Sequence, residues 1–85
     1  MNKWQAVYCN EDYNGKAPRT RIGKEKLELL GQVKETVTVE FPEGRAATYT
    51  VTENDCDMPN GKISVSVLAS NLVLWTARGY KVTTK

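Results

Sequence analysis

Four cations crowd residues 16–24 of this chain, Lys16, Arg19, Arg21 and Lys24, with Lys26 just beyond and Tyr13 upstream. Cations at this density are what a protein uses to contact phosphates, and a nearby aromatic ring adds a surface on which a base can stack. The candidate binding residues are therefore Tyr13, Lys16, Arg19, Arg21, Lys24 and Lys26. Their partner would be nucleic acid or a protein with an acidic surface. The bland alternative is a solvated basic loop with no ligand. Gly15-Lys16 and Gly23-Lys24 do not make a phosphate-cradling loop, because no glycine precedes either pair at the required spacing and neither Ser nor Thr follows.

Other chemistries are poorly supplied. The chain has no histidine, which removes the usual base of serine and cysteine nucleophiles. Cys9 precedes Asn10-Glu11-Asp12, and Cys56 lies between Asp55 and Asp57. Such surroundings are the opposite of the electropositive ones that activate a cysteine. Two cysteines without histidine cannot complete a tetrahedral zinc site. The run Asn10 to Gly15 matches the first half of a calcium loop, but Arg21 then stands where a bidentate glutamate belongs. We expect no enzyme, no cofactor, no metal and no small-molecule substrate.

The charge is segregated along the chain although the net charge is only +2. Residues 16–26 sum to +4, from five cations and Glu25. Residues 35–57 sum to −5, from Glu35, Glu40, Glu43, Glu53, Asp55 and Asp57 against Arg45. From Met58 onward Lys62, Arg78, Lys81 and Lys85 meet no acid at all. Either the surface has opposed basic and acidic faces, or the blocks neutralise one another across neighbouring strands. Eighty-five residues make one small domain, here 1–85, and 40% hydrophobic content suffices for a single core. No apolar run approaches a membrane span, and the N-terminal segment does not read as a secretory signal. A cytoplasmic location with Cys9 and Cys56 reduced is the expectation.

The elements that must present these cations read as strands. Val37, Val39 and Phe41 alternate with Thr36, Thr38 and Glu40, and Ala47, Tyr49 and Val51 alternate with Thr48, Thr50 and Thr52. Joined by Pro42-Glu43-Gly44, the two runs predict an antiparallel hairpin with one buried face. Residues 3–9 predict a first strand, with Trp4, Ala6 and Tyr8 on one side. Residues 24–31 are ambiguous between a strand and a helical turn, leaning to strand. Ile63, Val65 and Val67 alternate, the run 72–75 is apolar on both faces, and 80–85 reads as an edge strand. Between the first strand and the rest, residues 10–26 read as a long basic loop. The fold class expected is all-β: a small single-domain barrel or partly open roll of five to seven antiparallel strands, which closure would free of open edges.

VTVEFPEGRAATYTV, then a loop, then ISVSVLASNLVL, resembles the later strands of Src-homology-3-like small barrels, where a hairpin is followed by a strand, a one-turn break and a final strand. The break Leu68-Ala69-Ser70-Asn71-Leu72 is similar to a Pro-Ser-Asn-Tyr segment of that family. The Ala-Leu-Tyr-Asp-Tyr segment and the paired tryptophans of its peptide-binding members are missing, so the resemblance implies architecture and not a polyproline groove. The function expected is a small non-enzymatic binding module that contacts an anionic partner through the basic loop. The alternative is a protein-interaction factor or inhibitor from a mobile element, docking a sheet edge or the acidic loop 53–57 on a larger host protein.

Overall fold

A computed structural model describes residues 1–13, 16 and 18–85, with the side chains at 11–13 outside the description. It does not form the expected all-β barrel. Three helices pack on one face of an open, four-stranded mixed sheet. Helix α1 spans Lys3–Tyr13 and α2 spans Arg21–Leu30. Strands β1 (Thr36–Glu40) and β2 (Ala46–Thr52) follow, then a 3₁₀ turn at Met58–Asn60, β3 (Lys62–Ser64), helix α3 (Val65–Ala77) and β4 (Lys81–Thr84). The strand order is β3-β2-β1-β4.

The hairpin forms as its alternation predicts. Thr36 pairs with Thr50 and Val39 with Ala47 in an antiparallel register. Phe41 and Arg45 close the connection: the Phe41 N–H donates to the Arg45 carbonyl at 2.8 Å, and the Gly44 N–H donates to the Phe41 carbonyl at 3.0 Å. Gly44 sits at φ +93°, the left-handed position that such a three-residue connection requires. On the inner face Val37, Val39, Val51 and Ile63 are buried. The outer face carries Thr36, Thr38, Thr48 and Thr50 and is covered by no element among the described residues.

Of the other expected strands, 80–85 forms as β4, whereas those at 3–9, at 24–31 and over most of 63–75 are corrected. Trp4 and Tyr8, four residues apart, share a face in a strand and in a helix alike. A reciprocal cap decides between them. The Gln5 N–H donates to Asn2 Oδ1 at 2.9 Å, and the Asn2 N–H donates to Gln5 Oε1 at 2.8 Å, a capping box that starts α1. Residues 24–31, leaning to strand in the sequence, lie in α2 and the Gly31 that ends it. The segment 62–75 yields only three residues of strand before turning helical. Val65, Leu68, Ala69, Leu72 and Trp75 recur at helical spacing and form the buried stripe of α3. That helix carries the chain from β3 at one edge of the sheet to β4 at the other. It ends at Gly79, φ +76°, where the Gly79 N–H reaches the Thr76 carbonyl and the Tyr80 N–H the Trp75 carbonyl, a Schellman stop. No helix among the described residues is long and apolar enough to cross a membrane.

One continuous core results. The inward valines and Ile63 of the sheet meet Leu68, Ala69, Leu72 and Trp75 of α3, with Trp4 and Tyr8 of α1 and Leu30 and Val33 from the end of α2.

Candidate functional site

Of the basic residues singled out above, Arg19, Arg21 and Lys24 lie at the start of α2 and Lys26 in its second turn. Thr20 caps it, its Oγ1 accepting from the Gly23 N–H at 3.0 Å, while the Thr20 carbonyl accepts from the Lys24 N–H at 3.0 Å. Arg21 is the first residue of the helix, and Lys24, three residues on, shares its side. Lys16, Arg19, Arg21 and Lys24 are exposed, Pro18 between them is buried, and Lys26 is half-buried. The expected long loop is therefore shorter: α1 runs to Tyr13 and the helical turn begins at Arg21. The Tyr13 side chain lies outside the described side chains. Asn14, Gly15 and Ala17, and with them the half-match to a calcium loop, lie outside the described residues.

Ile22 stands between two of the cations and is 55% exposed, among the described residues the second most exposed large hydrophobic after Met1. In the sequence alone an apolar residue beside cations carries no signal, because nothing there fixes its side of the helix.

The far end of α2 is anchored, and this fixes where its first turn points. Asn2 Nδ2 donates to the Leu30 carbonyl at 2.7 Å and to the Val33 carbonyl at 3.2 Å, and Gln5 Nε2 donates to the Leu27 carbonyl at 2.9 Å. The start of α1 thus satisfies carbonyls at the end of α2, which the helix itself leaves unpaired. The positive end of one helix dipole also meets the negative end of the other.

Electrostatically the first turn of α2 is unusual. A helix start favours acids, yet this first turn holds none and is bracketed by cations. Gly23, inside the helix, adds a backbone-entropy cost of about 0.5–1 kcal/mol. Helix formation alone gives no reason for these residue types here.

The acidic block is treated differently. Glu40 pairs with Lys81 at 3.8 Å, Glu43 with Arg45 at 3.1 Å, Glu53 with Lys3 at 3.8 Å and Asp55 with Lys62 at 3.5 Å. All eight side chains are more than half exposed, so each pair contributes at most about 1 kcal/mol. Still, the acids of residues 40–55 are answered by cations from α1, the hairpin turn, β3 and β4. Among the described residues no ion pair involves Lys16, Arg19, Arg21, Lys24 or Lys26.

Two surface recesses lie elsewhere. One, about 280 Å³, is lined by Leu29, Leu72, Tyr80, Val82 and Thr84 between the helices and β4. The other, about 410 Å³, lies at the hairpin end among Phe41, Trp75, Tyr80, Arg45 and Arg78. There Phe41 and Tyr80 meet edge to face at 5.5 Å, and the Arg45 guanidinium lies 4.7 Å over the Phe41 ring. Cys9 is buried in α1, a helix rather than the expected strand, Cys56 is exposed, and both are free thiols. Among the described residues no three His, Cys, Asp or Glu side chains gather as a metal site would need.

No protein-family model, no curated protein and no solved structure matches the chain.

Proposed function

We propose that the chain is a small non-enzymatic binding module whose cations at the start of α2 engage a nucleic-acid phosphate backbone. The observation that carries this reading is the unequal pairing of charge. Glu40, Glu43, Glu53 and Asp55 each form an ion pair, whereas Lys16, Arg19, Arg21, Lys24 and Lys26 form none among the described residues. Cations that stay exposed at a helix end that would favour acids keep their charge available to an outside anion. Glu25 and Glu28 lie further along the exposed side of α2 and, with Lys26 half-buried between them, limit the fully exposed cations of the helix to its first turn. The fit is to phosphates at the helix end rather than to a helix laid in a groove. The two free thiols suit a reducing compartment, and a cytoplasmic location belongs to the same reading.

The test is binding of labelled single-stranded and duplex oligonucleotides by fluorescence anisotropy across a salt series. Four engaged cations predict a log–log slope of about −3 to −4. The triple variant Arg19→Glu, Arg21→Glu, Lys24→Glu should abolish binding and leave the circular dichroism spectrum intact. Salt-insensitive binding, or a triple variant that binds as well as the parent, rejects the reading. Retention of a nuclease-resistant acidic protein by the same residues would reassign the partner to the other anionic class.

A further inference from the structure

We propose that the open edge of β4 is a second docking site, which takes an extended acidic segment of another protein as a fifth strand of the sheet. The two edges of the sheet differ. At β3, the chain covers its own edge: the Asp57 N–H donates to the Lys62 carbonyl at 3.2 Å, and the Lys62 N–H donates to the Asp57 carbonyl at 3.0 Å. At β4, among the described residues, no further strand lies outside it. Thr36 and Lys85 exchange both backbone hydrogen bonds, at 2.9 and 3.0 Å, which fixes the alternation of the β1–β4 ladder. Lys81, Thr83 and Lys85 direct their backbone groups to β1, and the N–H and C=O groups of Val82 and Thr84 point outward. Such a row is a template for a further strand.

The surroundings of that edge define what would sit there. A strand laid beside β4 alternates its side chains between the two faces of the sheet. Those on the helix side would enter the 280 Å³ recess, where Leu29, Leu72, Tyr80 and Val82 offer aliphatic and aromatic contact and Gln32, Thr76 and Thr84 form the polar part of the lining. Those on the uncovered side would lie beside Lys81, Thr83 and Lys85. Lys81 has only the long, exposed contact to Glu40, at 3.8 Å, and the chain has no acid from Met58 onward. The complement is a segment in which acidic residues alternate with branched aliphatic ones. The same lysines repel a second β4, so another copy of this chain is the disfavoured occupant.

The probe is a fluorescein-labelled octapeptide alternating glutamate and valine, titrated with the full chain. Controls are the same peptide with lysine for glutamate, and one N-methylated at alternate amides. Micromolar binding of the acidic peptide is expected, with at least about a tenfold loss for the lysine peptide, the N-methylated peptide and the protein variant Lys81→Glu/Lys85→Glu. Val82→Pro removes an outward N–H without removing a bond to β1, and should cost as much. In case that variant unfolds, amide spectra of the parent protein provide an independent readout. The Val82 and Thr84 amides should shift and gain exchange protection when the acidic peptide binds. Absence of binding up to millimolar peptide, equal binding of the N-methylated peptide, or shifts centred on Arg19 to Lys26 would overturn the proposal. So would a concentration-dependent dimer of the parent chain that Val82→Pro abolishes.

Discussion

Arg21→Glu should make the protein more stable and a poorer ligand for polyanions, a combination that a purely structural role for the residue would not produce. Arg21 opens α2 directly after the Thr20 cap, where the helix dipole presents its positive end. A cation there is disfavoured and an anion favoured by about 0.3–1 kcal/mol each, so reversal is worth about 0.6–2 kcal/mol. Side-chain neighbours nearly cancel. A glutamate at position 21 would exchange attraction to Glu25 for repulsion, and repulsion from Lys24 for attraction, each by about 0.4–1 kcal/mol. The net gain is about 1 kcal/mol, which in a domain of this size raises the melting temperature by about 4–8 °C.

Thermal unfolding followed by circular dichroism at low ionic strength checks the first half of this prediction. The same scan in 1 M NaCl, where the screening length falls to about 3 Å, should show most of the gain gone. Oligonucleotide anisotropy checks the second half: affinity should fall about tenfold or more, and the salt slope should shrink by about one unit. A melting temperature unchanged or lowered at low salt refutes the electrostatic account of the helix start. A raised melting temperature with affinity and slope unchanged refutes the phosphate-binding role.

Asn2→Ala removes the α1 cap and both hydrogen bonds to the carbonyls of Leu30 and Val33 together, and should cost about 1–3 kcal/mol in urea unfolding. Leu68→Ala, at a fully buried position under the sheet, should cost about 2–5 kcal/mol, enough to leave much of the chain unfolded at 37 °C. Thiol titration should count one reactive cysteine in the native protein, Cys56, and two in denaturant, since Cys9 is only 5% exposed. Two fast thiols under native conditions would displace α1 from its place against the core.

How much of this fold the sequence announces depends on whether a residue pattern has one geometric reading or two. Between residues 36 and 52 the alternation is long, its β-branched residues favour strands, and the Pro42-Glu43-Gly44 turn admits few alternatives, so the hairpin and its inner face are legible. Trp4 and Tyr8 are not decisive, because an interval of four satisfies periods of both 2 and 3.6. The deciding signal was the pair Asn2 and Gln5, three apart, which is a helix start rather than a strand start. In α3 the helical stripe of Val65, Leu68, Ala69, Leu72 and Trp75 was present. It was hidden by Ile63 and Val67, which complete an alternation with Val65, and by Val73 and Leu74, which make the run apolar on every side. Val65, Val67 and Val73 are weak helix formers, so propensity misled as well. What overrode it is topological: the chain must pass from β3 to β4 across the width of the sheet, and α3 makes that passage while burying its stripe.

The candidate site is legible in the opposite way: its charges stand in the sequence, and only the fold shows which of them are left over. A block of five cations and a block of six acids in one small domain could have cancelled, which would have emptied the argument for an outside partner. The strand order decides which cations reach the acids. It sets Lys81 beside Glu40 in the β1–β4 register, the β3 turn brings Lys62 to Asp55, and α1 offers Lys3 to Glu53. Arg21, Lys24 and Lys26 belong to the helical layer, on a helix anchored by Asn2 and Gln5 at its far end. Repulsion among Arg19, Arg21 and Lys24 then meets no ion pair among the described residues, only the weak i,i+4 attraction of Glu25 and Glu28, and every bound anion would lower it. Affinity should therefore increase with the charge density of the partner more than with its sequence. A polyphosphate chain should compete with an oligonucleotide for the site, whereas a neutral-backbone analogue of the same base sequence should not.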